Sequence, residues 1–339
     1  MPKAVANENV LPPGGASSPL RVSSLFNVAK KHVVVTGGGS GIGAMIAATF
    51  VENGAKVLIC SRKDSSAYAK ELSQRATATT TTTTTTTSSN RTNRTSSASA
   101  SPSSSCSSST AAQPCCTALA DCDLGTEAGR QRVFVWCKEH FGGKVHVLVN
   151  NAGTNYAEMF ENQRADLFAK VLHLNLTAVF LMTQKLLPML EAAATGTAGG
   201  GDTGDAGVLA ADEAALGENY SSVINITSIN GLRNPEMETY SYQASKAGLN
   251  HLTTSMAMHL APKKIRVNNV APGAFPSRMM RGTIEMAGKE LIAEKSAIPR
   301  LGMPGDVGAA CIYLSSPASA WVTGTTLVVD GGNLVKARM

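Results

Sequence analysis

The sequence predicts a single α/β domain of the doubly wound kind, a central parallel sheet of about seven strands with helices on both faces. Three observations carry that expectation. Short β-branched and apolar runs alternate with helix-length stretches along most of the chain. The runs are continuously apolar, as strands covered on both faces are, instead of alternating in and out. A glycine-rich string stands between the first run and the first helix.

Residues 1–28 contain Pro12-Pro13-Gly14-Gly15 and small polar side chains without strand or helix periodicity, and are expected to form a flexible arm. The domain, 29–339, opens with the strand His32-Val33-Val34-Val35-Thr36, a helix over 42–53 stopped by Gly54, and the strand Lys56-Val57-Leu58-Ile59-Cys60. A helix over about 64–75 then meets a tract of Thr, Ser and Ala at about 76–114, unbroken Thr from Thr79 to Thr87. Few apolar side chains there offset the entropy of ordering, so this is expected to be a low-complexity insertion, as is the Gly, Ala and Asp-rich stretch at about 193–219. Both interrupt helix-to-strand connections, at the sheet edge opposite the one where parallel sheets bind ligands.

The remaining elements follow in alternation. Strands are expected at 145–149, 222–226, 265–270 and 326–329, and helices at about 165–190, 242–260 and 306–314. Without the arm and both insertions about 250 residues remain, a size one domain accommodates.

Composition narrows the function classes. The chain has 339 residues, 43% hydrophobic and 16% charged, with net charge +6. Its Lys and Arg residues are scattered without aromatic interleaving, which argues against nucleic acid as a partner, while a basic surface favours anionic small ligands. The seven cysteines form no CxxC pair and no His cluster accompanies them at ligand spacing, so free thiols are expected and no metal. The apolar runs read as too short and interrupted for a membrane span, and the expected location is cytoplasmic. The final Ala337-Arg338-Met339 resembles a peroxisomal address, the alternative location.

The glycine string is Thr36-Gly37-Gly38-Gly39-Ser40-Gly41-Ile42-Gly43. In a strand–turn–helix context, glycines permit positive φ and close approach, and the helix N-terminus presents N–H groups and a positive dipole end to a pyrophosphate. The second strand ends in Cys60-Ser61-Arg62-Lys63, with no carboxylate before Asp64. Arg62 there suits a 2′-phosphate, so NADP(H) is favoured over NAD(H). Asn150-Asn151-Ala152-Gly153 follows the fourth strand, where small residues allow close approach and Asn side chains bridge loops. Asp123, after the third strand, is placed either to accept from an adenine amino group or to cap the next helix.

Tyr242 and Lys246 stand four apart near a helix start and project from one face. A phenol ordinarily titrates near 10; a neighbouring ammonium favours the phenolate and brings that value towards the working range, which fits Tyr242 as proton donor to a developing alkoxide. The same spacing also occurs as an exposed helix pair. Ser228, just past the fifth strand, is placed to hold a carbonyl, with Thr227 as its local competitor. Asn175 sits amid the apolar run 171–180, where its amide requires partners, either functional or merely satisfying.

In combination these strings resemble the classical short-chain dehydrogenase/reductase family over nearly the whole chain outside the arm and insertions. The family's TGxxxGxG motif falls on Thr36, Gly37, Gly41 and Gly43, its NNAG on Asn150 to Gly153, and its tetrad on Asn175, Ser228, Tyr242 and Lys246. The resemblance implies a Rossmann fold and a nicotinamide-dependent enzyme. It makes Tyr242 the acid/base, has Lys246 lower the Tyr242 pKa and bind the nicotinamide ribose, has Ser228 polarise the carbonyl, and gives Asn175 a water in a proton relay. The family's PG motif matches Pro272-Gly273; Phe275 and Ser277 follow at cofactor-contacting positions, Ser277 keeping a hydroxyl for the carboxamide.

The string from Ala271 to Met279 is similar to the 3-oxoacyl-acyl carrier protein reductases, in particular their rhamnolipid-biosynthesis branch. That resemblance implies a small-molecule carbonyl substrate, a 3-oxoacyl thioester on acyl carrier protein or coenzyme A, with the apolar segment 275–298 as its lid. Arg278 and Arg281 there are suited to phosphate or acidic groups. A homotetramer is implied as well. The rival readings are a sugar or polyol dehydrogenase resembling gluconate 5-dehydrogenase, and a non-catalytic NADP-binding regulator.

Overall fold

The computed structural model describes residues 20–85, 115–195 and 219–336, so most of the expected arm, the greater part of both insertions and the Ala337-Arg338-Met339 terminus lie outside the described residues. Seven strands, β1 (His32–Thr36), β2 (Lys56–Cys60), β3 (Cys116–Leu119), β4 (Val147–Asn150), β5 (Ser221–Ile226), β6 (Ile265–Pro272) and β7 (Thr326–Val329), form one sheet. All pair in parallel, in the order β3-β2-β1-β4-β5-β6-β7. The order reverses between β1 and β4, where such sheets open a ligand crevice at the carboxyl ends of the strands.

Strand periodicity sorts the core into two layers. Val33 and Val35 of β1 face one side, packing with Ile46 and Phe50 of α2 (Gly41–Glu52), Leu72 of α3 (Ser66–Thr85), and Val307 and Leu314 of a later helix, Pro304–Ser315. Val34 faces the other side, with Val133 of α4 (Glu127–His140), Leu186 and Leu190 of the helix Ala178–Thr195, and Met256 of the helix Tyr240–Leu260. A Cβ on Gly308 would lie 2.0 Å from Thr49 Oγ1, so the glycine lets the helix Pro304–Ser315 settle against α2.

The expected long helix over 165–190 is interrupted. It comprises α5 (Ala165–Leu172), a π-turn at His173–Thr177 and α6 (Ala178–Thr195). The run Ala165–Thr195 is, by length and composition, apolar enough to cross a membrane, which corrects the expectation that no run is. Its inner face nevertheless carries Met182, Leu186 and Leu190 into the core, and Pro188 lies within it.

Two further elements differ from expectation. The third helix runs on to Thr85; Thr77 tolerates a helical position because its hydroxyl donates to the Ser73 carbonyl one turn back, at 2.9 Å. The end of the expected arm folds as α1 (Val22–Leu25), and Val28 is buried with the α2 layer. The chain after β5 continues through α7 (Tyr240–Leu260), and after β6 through α8 (Arg281–Ala287), α9 (Lys289–Glu294) and α10 (Pro304–Ser315) to β7.

Candidate active site

The carboxyl ends of β1, β2, β4, β5 and β6 border one cleft of about 1380 Å³. At one end lies the glycine loop. Gly37 and Gly41 adopt φ of +65° and +56°, the left-handed region glycine enters without strain. A Cβ on Gly43 would sit 2.4 Å from Asn151 Nδ2, and one on Gly39 would sit 1.9 Å from Ser65 Oγ, so neither position admits a side chain as the loop stands. Ser40, the N-cap of α2, makes no side-chain capping bond, and Ser40, Gly41 and Ile42 line the cleft. A cradle closed to side chains, at a helix N-terminus opening on a cleft, fits the pyrophosphate of a dinucleotide.

Thr36 organises that cradle from beneath. Its buried hydroxyl accepts from the N–H groups of Asn151 and Ala152 at 2.9 and 3.0 Å and donates to the Val149 carbonyl at 3.2 Å. Asn151 Nδ2 donates back to the carbonyls of Thr36 and Gly37. Thr36 and Gly43 therefore shape the cleft without lining it, whereas Asn151, Ala152 and Gly153 do both. Arg62 and Lys63 stand exposed at the far end of the cleft. Asp64 is turned to the start of α3, where its carboxylate accepts from the Ser66 N–H and hydroxyl; these bonds hold its pKa below the ordinary value. Asp123 lines the cleft with Oδ1 accepting from Gly125 N at 3.0 Å, and Thr126, not Asp123, caps α4.

At the other end α7 carries Tyr242 and Lys246 onto one face. The Tyr242 hydroxyl stands beside Ser228, whose Oγ accepts from Asn230 N at 3.1 Å. Thr227 is excluded as competitor because its hydroxyl is spent on the Val270 carbonyl at 3.2 Å. Lys246 Nζ donates to the Ile226 carbonyl at 2.7 Å and lies 5.6 Å from the Tyr242 ring centre. Burial pushes the Tyr242 phenol above its ordinary value, Ser228 opposing, and lowers Lys246 to about 8. The expected lowering of Tyr242 is thus not met in this structure, where desolvation outweighs the opposing effect of Ser228.

Asn175 occupies the middle of the π-turn and is fully buried. Its Oδ1 accepts from Thr154 N, and its Nδ2 donates to Thr154 O and to Ser245 Oγ, at 2.9, 2.9 and 3.1 Å. It pins the loop after β4 to α7 behind the cleft wall, a function of the π-turn that helix periodicity does not reveal. Pro272, Gly273, Phe275 and Ser277 border the cleft from the end of β6; Phe275 is buried, its ring against Gly302, and the Ser277 hydroxyl accepts from Met280 N at 3.2 Å. Sequence reasoning missed the cleft-lining Arg233, which donates to Asn333 at 2.5 Å, and the Lys295–Glu236 pair at 2.7 Å. Both join segments too distant in sequence for spacing to reveal.

Comparison with known proteins agrees with this geometry. The short chain dehydrogenase family model matches residues 31–101 and 97–198, and a model described as Enoyl-(Acyl carrier protein) reductase matches 206–333. The rhamnolipids biosynthesis 3-oxoacyl-[acyl-carrier-protein] reductase of Pseudomonas aeruginosa is 33% identical over 309 residues, covering 91% of this chain and 97% of that protein. The 7alpha-hydroxysteroid dehydrogenase of Escherichia coli is 33% identical over 192 residues, 57% of this chain and 65% of that one. Among solved structures, the Pseudomonas aeruginosa RhlG/NADP active-site complex superposes with TM-score 0.69 at 31% identity, covering 91% of this chain and 98% of its own. With its sheet order, with its glycine loop and Tyr242 bordering one cleft and Lys246 buried behind that tyrosine, the chain belongs to the short-chain dehydrogenase/reductase family of oxidoreductases.

Proposed function

We propose that this oxidoreductase uses NADP(H) to interconvert an apolar ketone and its secondary alcohol, with a 3-oxoacyl thioester as the substrate class and Tyr242 as the acid. One observation carries the reading: Tyr242 and Ser228, side by side, line the cleft that the glycine loop closes at one end and that Ile229, Met237, Met280, Met286 and Ile292 line at the other. NADP(H), when bound, supplies the hydride; the rest of the chemistry falls to side chains. Ser228 and Tyr242 present hydroxyls to the ketone oxygen, and the Tyr242 phenol, kept protonated by burial, gives up its proton as negative charge develops there. Lys246 then faces the resulting phenolate as an ammonium.

Arg62 and Lys63 support the choice of NADP(H), as does a relative solved with NADP. A relative that reduces a 3-oxoacyl chain and another that oxidises a steroid support an apolar substrate. The test is a panel of 3-oxoacyl thioesters, on acyl carrier protein and on coenzyme A, against ketogluconates, followed by NADPH absorbance. The thioesters should show kcat/KM at least tenfold higher, the order of discrimination an apolar pocket provides; the reverse order assigns a sugar or polyol substrate. A cytoplasmic homotetramer built on α5, α6 and α7 belongs to the same proposal, and light scattering reads its mass.

A further inference from the structure

One contact in the cleft joins residues that lie 238 positions apart in the chain: Arg278 Nη2 donates to Ser40 Oγ at 2.7 Å. Arg278 stands at the root of the segment that leads from β6 into α8. That root is seated on the glycine loop, since a Cβ on Gly41 would lie 3.0 Å from Ser277 Cβ. The guanidinium is exposed and lines the cleft. Elsewhere, Arg130, Arg164 and Arg300 pair with carboxylates. Among the described residues Arg278 makes no ion pair, and a neutral hydroxyl receives its Nη2.

We propose that Arg278 binds the pyrophosphate of the dinucleotide and thereby fastens the substrate lid over it. The proposal rests on the nicotinamide-dependent reading above. A guanidinium offers five donors in a planar fork; Ser40 receives one, and the fork suits a phosphate bidentately, opposite the N–H groups of the α2 N-terminus. The lid's contacts on its substrate side are weak in kind. Thr283 Oγ1 donates to Met237 Sδ at 3.8 Å, and the Lys295–Glu236 pair is exposed. The far end of the segment is held by Asn333 Nδ2 on the Lys295 carbonyl and by Ile298 N on the Gly331 carbonyl, at 3.0 and 2.8 Å, whereas the anchor at its root exists in full only when the dinucleotide is present, so the ketone should enter a lid already fixed there by the cofactor.

The test uses Arg278→Ala and Arg278→Lys with two probes, NADPH and adenosine 2′-monophosphate, which keeps the adenine and the 2′-phosphate and lacks the pyrophosphate. In fluorescence titration Arg278→Ala should bind NADPH about ten- to a hundredfold more weakly, as expected for a lost charge-assisted bond, with Arg278→Lys between it and the native chain. Adenosine 2′-monophosphate, titrated calorimetrically, should bind all three proteins within about twofold of one another. Amide exchange over 278–295 should be slowed by NADPH in the native chain and not in Arg278→Ala. Unchanged NADPH affinity in Arg278→Ala, or equal loss for both probes in both variants, overturns the proposal. If the native chain binds NADH and not NADPH, the choice of NADP(H) fails; Arg278 is then tested in the same way with NADH and adenosine, because the pyrophosphate is common to both dinucleotides.

Discussion

Tyr242 and Lys246 show at the scale of single residues how burial sets the chemistry. Replacing Tyr242 by Phe removes the proton donor and leaves the ring, so turnover should fall by about 10²–10⁴-fold while NADPH binding, read by fluorescence, stays near native. Undiminished turnover would remove Tyr242 from the mechanism. Lys246 carries a pH consequence whose sign follows from its shift. Burial lowers it to about 8, so the ammonium that faces the phenolate is present below that pH and lost above it. kcat/KM for ketone reduction should therefore decline as pH rises through about 8, and a profile flat from neutrality to pH 10 would contradict the assignment. The pair was legible in the sequence because a four-residue interval on a helix fixes a shared face whatever surrounds it. The direction of the Tyr242 shift was not, since it depends on how far folding removes the phenol from water. Arg278 and Ser40 were legible separately and not as a contact, because neither lies within reach of the other along the chain.

Between elements, a buried polar ladder decides how firmly the catalytic edge is held. Asn150 donates to Asn225, Asn225 to Thr253, Thr253 to Asn269 and Asn269 to Thr326, at 2.9, 2.8, 2.6 and 2.9 Å, linking β4, β5, α7, β6 and β7 immediately behind the cleft. Thr253→Val is almost isosteric, so it removes the hydroxyl without opening a cavity and leaves the amides of Asn225 and Asn269 each short of a partner. It should cost about 2–4 kcal/mol, seen as a lower urea midpoint at unchanged slope; a shift under about 0.5 kcal/mol would show the ladder to be incidental. A second joint lies at the amino edge, where His146 Nδ1 accepts from His32 N at 3.0 Å and must be unprotonated to do so. Burial, helped by His32, Lys31 and Lys144, depresses the His146 pKa well below the ordinary value. The unfolded chain then takes up a proton below about pH 6.5 that the folded chain refuses, so stability present at neutral pH is lost as pH falls. The melting temperature should drop between pH 7 and pH 5, and His146→Asn, which keeps an acceptor and cannot titrate, should flatten that drop; parallel curves would refute the role of His146. The strands announced themselves by continuous apolar runs. The π-turn that seats Asn175 did not, because its apolar neighbours carry on the helical pattern through the irregularity.

For the whole molecule, the question is whether the low-complexity tracts matter to the fold and the chemistry. Sequence pattern placed both tracts on helix-to-strand connections, and it misjudged where the helices before them stop, since α3 and α6 continue to Thr85 and Thr195. The structure adds that the chain is already fastened on either side of each tract. Ser73 Oγ donates to the Cys116 carbonyl and accepts from the Cys116 N–H, at 3.2 and 3.1 Å. Ser221 Oγ donates to the Leu190 carbonyl at 2.7 Å. These clasps stand at the amino ends of β3 and β5, the sheet edge away from the glycine loop and Tyr242. A loop beyond such a clasp has little left to contribute, because halving its length changes the closure entropy by only about 0.6 kcal/mol. Replacing residues 79–112 by a Gly/Ser linker of about four residues, and 197–217 likewise, should leave kcat/KM within about twofold of native and raise the melting temperature slightly. Adding Ser73→Ala to the first excision removes the clasp and should lower the melting temperature by several degrees, the effect of about 1 kcal/mol in a domain of this size. If instead the excision alone abolishes turnover while the protein remains folded, the tract acts on the catalytic edge from across the sheet, and the separation of scaffold from chemistry drawn from the strand order is wrong.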